Sequence, residues 1–126
     1  MRNTIISIFF IFALFAVVFL AAYIADMSSQ PANYYDEFAK CLADKKVMMY
    51  GAAWCPHCLN EKKSFGDSFK YVPYTECPDN IQLCTDRGVR AFPTWILGDG
   101  RHLDGEQGLM KLSAETGCPI LEYKAK

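Results

Sequence analysis

The sequence lacks any long run of charge of one sign. Its 126 residues carry 13 Lys and Arg against 14 Asp and Glu, and the formal net charge is −1 at pH 7. Proteins that bind nucleic acid concentrate positive charge on one face, because they must neutralise phosphates. The charge pattern therefore gives no indication of a nucleic-acid partner. No internal repeat or low-complexity segment is visible, so a repeat architecture is not indicated either.

Charge is absent altogether between Arg2 and Asp26, over 23 consecutive residues that are mostly apolar. Roughly 20 helical residues cross a hydrocarbon core of about 30 Å. We therefore predict a transmembrane anchor over residues 1–25, with a cytoplasmic N-terminus because Arg2 precedes the run. The alternative is a cleaved signal peptide. The run is longer than the apolar region of a signal peptide, however, and no clean Ala-x-Ala site precedes Asp26.

The rest of the chain has the composition of a linker followed by one small domain. Residues 26–33 include small, polar and Pro residues and are predicted to form a tether. Residues 34–126 are enough for one core of two or three layers. Both alternatives for the N-terminus place this domain on the extracytoplasmic side of a membrane, in an oxidising compartment such as the periplasm where disulfides persist.

Apolar periodicity and turn residues predict alternating helices and strands in this domain. The expected order is helix, strand, helix, strand, helix, strand, strand, helix. The predicted segments are a helix from about Tyr34 to Ala43 capped by Asn33, a strand at 47–51, a helix from Pro56 to near Gly66, a strand at 71–75, a short helix around 81–84 closed by Gly88, a hairpin of 94–97 and 101–103 around Gly98-Asp99-Gly100, and a helix at about 106–115 ended by Gly117.

Two of the six cysteines lie in Trp54-Cys55-Pro56-His57-Cys58, where the first strand meets the following helix. Pro56 suits the first helical turn. Cys55 lies at the helix N-terminus, where free N–H groups and the helix dipole favour the thiolate that attacks a disulfide. His57 can add positive charge to that stabilisation, and Cys58 is close enough to form a disulfide with Cys55.

The alternatives for this pair are a structural disulfide or half of a metal site. A zinc ribbon needs a second Cys-x-x-Cys, but Cys77 and Cys84 are seven residues apart. Covalent haem attachment needs His at the position of Leu59. We therefore predict redox chemistry at Cys55 and Cys58 that requires no metal and no organic cofactor.

The strand that ends in Trp54-Cys55-Pro56-His57-Cys58, together with Phe92-Pro93-Thr94 downstream, resembles the thioredoxin superfamily from Tyr34 to Gly117. The resemblance implies a thioredoxin fold, a central mixed four-stranded sheet flanked by helices, here with an extra N-terminal helix. It also implies that Pro93 is a cis-proline that faces the cysteine pair and that the neighbouring backbone aligns an extended substrate. Trp54, Phe92, Pro93 and Thr94 are the substrate-binding residues expected on this basis.

A closer resemblance is to the thioredoxin-like domain associated with bacterial and plant homologues of vitamin K epoxide reductase. It implies a quinone-linked membrane homologue as the partner of this chain. The Cys-Pro-His-Cys motif is also that of the oxidising DsbA proteins, although their long helical insertion has no room here. The residues that carry the closer resemblance are Met49–Cys58, Lys62–Gly66, Tyr74–Cys77, Cys84, Phe92–Trp95 and Gly105–Gln107.

One position departs from thioredoxin. Thioredoxins have a buried Asp six residues before the first cysteine of the motif, and here that position is Met49. The departure removes one proton acceptor and leaves the deprotonation of Cys58 to Glu61, Lys62 or water.

The other four cysteines are candidates for structural disulfides. Cys77 and Cys84 are predicted to pin a loop to the short helix, and a second redox pair that relays electrons is the alternative. In a thioredoxin topology, Cys41 and Cys118 lie at the pole of the sheet away from the motif. A disulfide between them is one alternative, and two free buried thiols are the other.

The sequence thus predicts a membrane-anchored thiol:disulfide oxidoreductase. Its expected role is to oxidise the thiols of secreted proteins, with reoxidation by a vitamin K epoxide reductase homologue. A disulfide reductase or isomerase is the alternative within the same chemistry. A non-catalytic adaptor that keeps the fold only as a binding module is the alternative from another class.

Overall fold

A computed structural model describes residues 2–28 and 34–120 of the chain. The chain forms two compact units, divided between residues 31 and 32. Asn33, the predicted helix cap, lies outside the described residues, as do the rest of 29–33 and residues 121–126.

The first unit consists of helix α1, Arg2–Ser28. This helix continues through the first three residues of the predicted linker. The structure describes its side chains from Ile11 to Ile24. Within the residues described, no helix is both long enough and apolar enough to cross a membrane. The anchor stays a prediction from the sequence.

The second unit is built on a four-stranded mixed sheet, which confirms the predicted architecture. Strand β1 (Met48–Gly51) pairs in parallel with β2 (Tyr74–Glu76) and antiparallel with β3 (Thr94–Ile96). Strand β3 also pairs antiparallel with β4 (His102–Asp104), so the order across the sheet is β2-β1-β3-β4. Helices flank the sheet, and the arrangement fits a thioredoxin-like fold. The helices are α2 Asp36–Asp44, α3 Pro56–Phe65, α4 Ile81–Asp86 and α5 Gly108–Thr116.

The core lies against the two central strands. Met49 of β1 and Trp95 of β3 are fully buried, and the helices contribute Phe38, Phe65 and Leu112. Strands covered on both faces read as continuous apolar runs instead of alternating patterns. This is why 47–51 and 94–97 were recognisable as strands from the sequence.

Several element boundaries differ from those predicted, and helix α2 begins at Asp36 instead of Tyr34. The second strand was expected at 71–75, but residues Gly66–Tyr71 form a 3-10 helix and β2 begins only at Tyr74. Pro73 has no N–H for the strand ladder, although its carbonyl accepts a 2.9 Å hydrogen bond from Met49 N. Helix α5 begins at Gly108 instead of Glu106, and Gly117 ends it in the left-handed conformation with φ 68°.

The structure contains both of the disulfides considered above. Cys41, on α2, is bonded to Cys118, which follows α5. Cys77, at the start of a 3-10 turn, is bonded to Cys84 of α4. Cys55 and Cys58 are free.

Candidate functional site

The two free cysteines lie at the start of α3. Cys55 is the N-cap of that helix, and its sulfur accepts a hydrogen bond from the backbone N–H of Cys58 at 3.3 Å. Pro56 occupies the first helical position, where its missing N–H costs no hydrogen bond. A sulfur at this position receives the free N–H groups of the first turn, which favour negative charge.

The two thiols differ in their access to solvent. Cys55 is 5% exposed and Cys58 is fully buried. Burial raises the pKa of the Cys58 thiol to about 12, and its hydrogen bond to Cys55 adds to the increase, whereas the N–H of Ala52 and the charge of Lys62 oppose it. Only Cys55 is therefore placed to meet another protein's sulfur. Among the described residues, no group of three metal-ligating side chains is placed to hold an ion.

A loop before β3 faces Cys55. The Phe92–Pro93 peptide bond is cis, as the resemblance to thioredoxins led us to expect. The Cys55 thiol donates to the carbonyl oxygen of Phe92 at 3.6 Å. Pro93 itself is fully buried. The backbone of Phe92 is thus the part of this loop that lies beside the reactive sulfur.

Exposed apolar side chains flank the motif and line the cavity beside Phe92. Trp54 is 70% exposed, and its ring packs edge-on against Phe92 with 6.1 Å between centroids. Leu59 and Ile81 are also exposed. Next to Phe92 lies a cavity of about 270 Å³ whose lining residues are Cys77, Pro78, Ile81, Cys84, Thr85, Val89 and Phe92.

The side chain of Thr94, one of the residues expected to bind substrate, lies in the interior. It is fully buried, and its hydroxyl lies 2.8 Å from both the carbonyl of Ala91 and the carboxylate of Asp104. These contacts hold the loop to β4. Thr94 stands at the start of β3, an interior strand, and its substrate-binding role stays a prediction.

His57 has a partner that the sequence did not reveal. We expected its charge to act beside Cys55, but its hydrogen-bond partner is Glu106, with Nδ1 3.0 Å from Oε2. The imidazole is 68% exposed and the carboxylate 41% exposed. The two side chains form an ion pair when the imidazole is protonated. The negative charge of Glu106 therefore offsets part of the positive charge that we expected His57 to bring to the Cys55 thiolate.

Glu61, one candidate acceptor for the Cys58 proton, is already engaged. Its side chain is 1% exposed, and its two carboxylate oxygens accept the N–H groups of Gln107 at 2.6 Å and of Gly108 at 2.9 Å. Burial raises its pKa, and these two backbone donors oppose that increase. Glu61 thus caps the N-terminus of α5 from a neighbouring helix, and Met49 offers no acceptor in its place.

Sequence reasoning missed three residues near the pair: Glu106 beside His57, and Tyr74 and Glu76 on the strand next to β1. The Tyr74 hydroxyl donates to Glu76 Oε2 at 2.5 Å, and Glu76 Oε1 accepts the N–H of Ala53 at 2.7 Å. These residues were noted only as part of the resemblance. No local spacing connects them to the motif.

No protein-family model matches the chain. The chain is similar to the thiol-disulfide oxidoreductase LTO1 of Arabidopsis thaliana, with 38% identity over 104 residues. The match covers 75% of this chain and 27% of the plant protein. The chain thus spans about a quarter of the length of that relative.

Proposed function

We propose that this protein is a thiol:disulfide oxidoreductase in which Cys55 exchanges with the substrate and Cys58 resolves the mixed disulfide. The observation that carries the proposal is the asymmetry of the pair. Cys55 caps α3 and is 5% exposed beside the backbone carbonyl of Phe92, while Cys58 is fully buried behind it. The similarity to a thiol-disulfide oxidoreductase supports the same chemistry.

In the oxidising direction the cycle starts from a Cys55–Cys58 disulfide. A substrate thiolate attacks the Cys55 sulfur, the bond to Cys58 breaks, and Cys58 leaves as a thiolate that takes up a proton. A second substrate thiolate then attacks the substrate sulfur of the mixed disulfide and releases Cys55 as a thiolate. The substrate loses two electrons, and the cysteine pair gains them.

The intermediate can be trapped. A Cys58→Ala variant cannot resolve a mixed disulfide, so it should accumulate one with a cysteine-containing peptide disulfide, visible as a mass increase lost on reduction. Cys55→Ala is the matched control and should show no adduct. Adduct formation in both variants, or in neither, would contradict the assignment of the two cysteines.

We further propose that the protein works as an oxidase of secreted protein thiols, reoxidised by a quinone-linked membrane homologue of vitamin K epoxide reductase. The Cys-Pro-His-Cys motif and the apolar rim of Trp54, Leu59 and Ile81 support this direction and a protein substrate. Equilibration with glutathione should give a potential nearer the roughly −120 mV of DsbA than the roughly −270 mV of thioredoxin. A value at or below that of thioredoxin would identify a reductase instead.

A membrane location is part of the proposal. It is supported by the 23 uncharged residues between Arg2 and Asp26 and by the exposure of the apolar side chains described from Ile11 to Ile24. The full chain should stay in the membrane fraction after high-salt and carbonate washing, with the thioredoxin-like domain accessible to protease from the extracytoplasmic side. A soluble form that begins near Asp26 would show cleavage instead.

A further inference from the structure

The sulfur of Cys58 and the ring of Tyr74 both lie close to Gly51. A β-carbon built on Gly51 would lie 2.8 Å from the Cys58 sulfur and 3.3 Å from Cε2 of Tyr74. The absence of a side chain at Gly51 is what lets the buried sulfur and the tyrosine ring share this space. Tyr74 and the buried half of the redox pair thus border the same space above Gly51.

A lysine lies on the same tyrosine. Lys62 Nζ is 3.5 Å from the centroid of the Tyr74 ring, a cation–π contact. Lys62 follows Cys58 by four residues in α3, so both side chains lie on one face of the helix. The tyrosine hydroxyl is held by Glu76, and Glu76 in turn binds the N–H of Ala53. The ring is thereby fixed between β2 and the loop that precedes Cys55.

Cys58 has to carry negative charge at one point of every cycle. It leaves as a thiolate when a substrate opens the disulfide, and it attacks as a thiolate when it resolves a mixed disulfide. Burial disfavours that charge. Met49 cannot accept the Cys58 proton, and both carboxylate oxygens of Glu61 already accept hydrogen bonds from backbone N–H groups at the start of α5. Lys62, one turn further along α3, carries a positive charge, the sign that favours a Cys58 thiolate.

We propose that Lys62, seated on the ring of Tyr74, supplies the positive charge that stabilises the Cys58 thiolate, and that Tyr74 is the positioning residue that keeps Lys62 there. This inference rests on the proposed function. In the resolving step the Cys58 thiol gives its proton to solvent water. The thiolate then attacks Cys55, the Cys55–Cys58 bond forms, and the bond from Cys55 to the departing sulfur breaks.

The ionisable groups around Cys58 come from two elements. Helix α3 contributes Cys55, Glu61 and Lys62, and β2 contributes Tyr74 and Glu76. The Cys55 charge opposes a second thiolate, whereas the Lys62 charge favours it. Burial and the hydrogen bond to Glu76 raise the pKa of Tyr74, so its hydroxyl stays neutral while Cys58 ionises. Glu76 is a carboxylate whose pKa is lowered chiefly by the Tyr74 hydroxyl.

The full-length protein in detergent, reduced only at Cys55 and Cys58, can be mixed with 5,5′-dithiobis(2-nitrobenzoic acid). Attack by Cys55 releases one thionitrobenzoate, and displacement by Cys58 releases a second. Cys58→Ala identifies the first phase, since it lacks the second. We expect Lys62→Gln to slow the second phase roughly three- to tenfold at pH 7 and to move its pH midpoint upward, with the first phase unchanged.

Three variants make the test specific. Lys63→Gln removes the exposed neighbouring lysine and should leave the second phase unchanged. Lys62→Arg keeps the charge and should restore most of the rate. Tyr74→Leu keeps Lys62 but removes the aromatic ring that its ammonium group contacts. It should shift the pH midpoint in the same direction as Lys62→Gln.

Each outcome separates this inference from the function on which it rests. Equal slowing by Lys62→Gln and Lys63→Gln, or an unchanged midpoint in Lys62→Gln, would overturn the role of Lys62 while the first phase still supports exchange at Cys55. A midpoint unaffected by Tyr74→Leu would overturn the role of Tyr74. Absence of the first phase in the wild-type protein would instead refute the proposed function.

Discussion

Gly51 has no side chain where the sulfur of Cys58 approaches β1. An added β-carbon there would stand 2.8 Å from that sulfur, closer than van der Waals contact allows. Gly51 is the last residue of the central strand that leads into the motif. The strand thus leads the chain to Cys55 at the start of α3. Its last residue, Gly51, also leaves the space in which Cys58 is buried.

This contact predicts the effect of Gly51→Ala. The added methyl group overpacks the site, so we expect a loss of about 1–3 kcal/mol of unfolding free energy in the reduced protein. The loss should be smaller in a Cys58→Ala background, because the sulfur that clashes is gone. Urea unfolding of the four proteins of this double-mutant cycle measures the coupling. Additive effects would show that the methyl group meets something other than the sulfur.

The burial of Cys58 predicts a pH dependence of stability. Its pKa is raised from 9.0 to about 12 in the folded reduced protein. Below about pH 9 the thiol is protonated in both states, and its contribution to stability is complete. As the pH rises from 9 toward 12 the unfolded chain ionises first, so this contribution is lost. The urea midpoint of the reduced protein should therefore fall as the pH rises from about 9 toward 12, and Cys58→Ala should reduce the slope.

His57 is expected to set the reduction potential of the pair. Its positive charge favours the form that carries a thiolate, so His57→Gly should make the potential more negative, by roughly 30 mV for about 1.4 kcal/mol of lost stabilisation. His102→Gly is the matched control, since His102 is exposed on β4, and should leave the potential unchanged. An unchanged potential in His57→Gly would mean that Glu106 cancels the imidazole charge. Equilibration with glutathione measures both.

Features encoded by neighbouring residues were predictable from the sequence. The hairpin of β3 and β4 follows from Gly98-Asp99-Gly100 between two short strands, and the end of α5 follows from Gly117. The motif itself fixes Cys55 at a helix start. The four-stranded sheet and the cis bond before Pro93 came from the resemblance to thioredoxins, which these local patterns supported.

Contacts made by tertiary packing were not predictable. His57 and Glu106 are 49 residues apart, and no pattern in either segment indicates the other. Tyr74 was assigned to a strand, but the strand begins three residues later than predicted because a 3-10 helix takes up Tyr71. Glu61 was considered a proton acceptor because it is close to Cys58 in sequence. Its two oxygens turn out to bind the start of α5, which only the packed structure can show.

That role of Glu61 predicts a stability effect. Glu61→Ala leaves the N–H groups of Gln107 and Gly108 without their acceptor, so we expect a loss of about 1–3 kcal/mol of unfolding free energy. Glu61→Gln keeps one oxygen acceptor and removes a buried charge, so it should cost less than half as much. Asn60→Ala, on the exposed side of the same helix, should change stability by no more than about 0.5 kcal/mol. Equal losses in the Gln and Ala variants would contradict a capping role.

Variants that lack the Cys77–Cys84 bond can show whether this disulfide is structural or relays electrons. The two residues are buried, and their sulfurs are bonded to each other. If the bond is structural, Cys77→Ser with Cys84→Ser should lower the unfolding free energy by about 2–3 kcal/mol, the value expected for closing so short a loop. Oxidation of a dithiol peptide by the Cys55–Cys58 disulfide should stay near the wild-type rate, both in a single turnover and in repeated cycles with glutathione disulfide. A double variant that completes the single turnover but fails to cycle would instead make Cys77 and Cys84 a second redox pair.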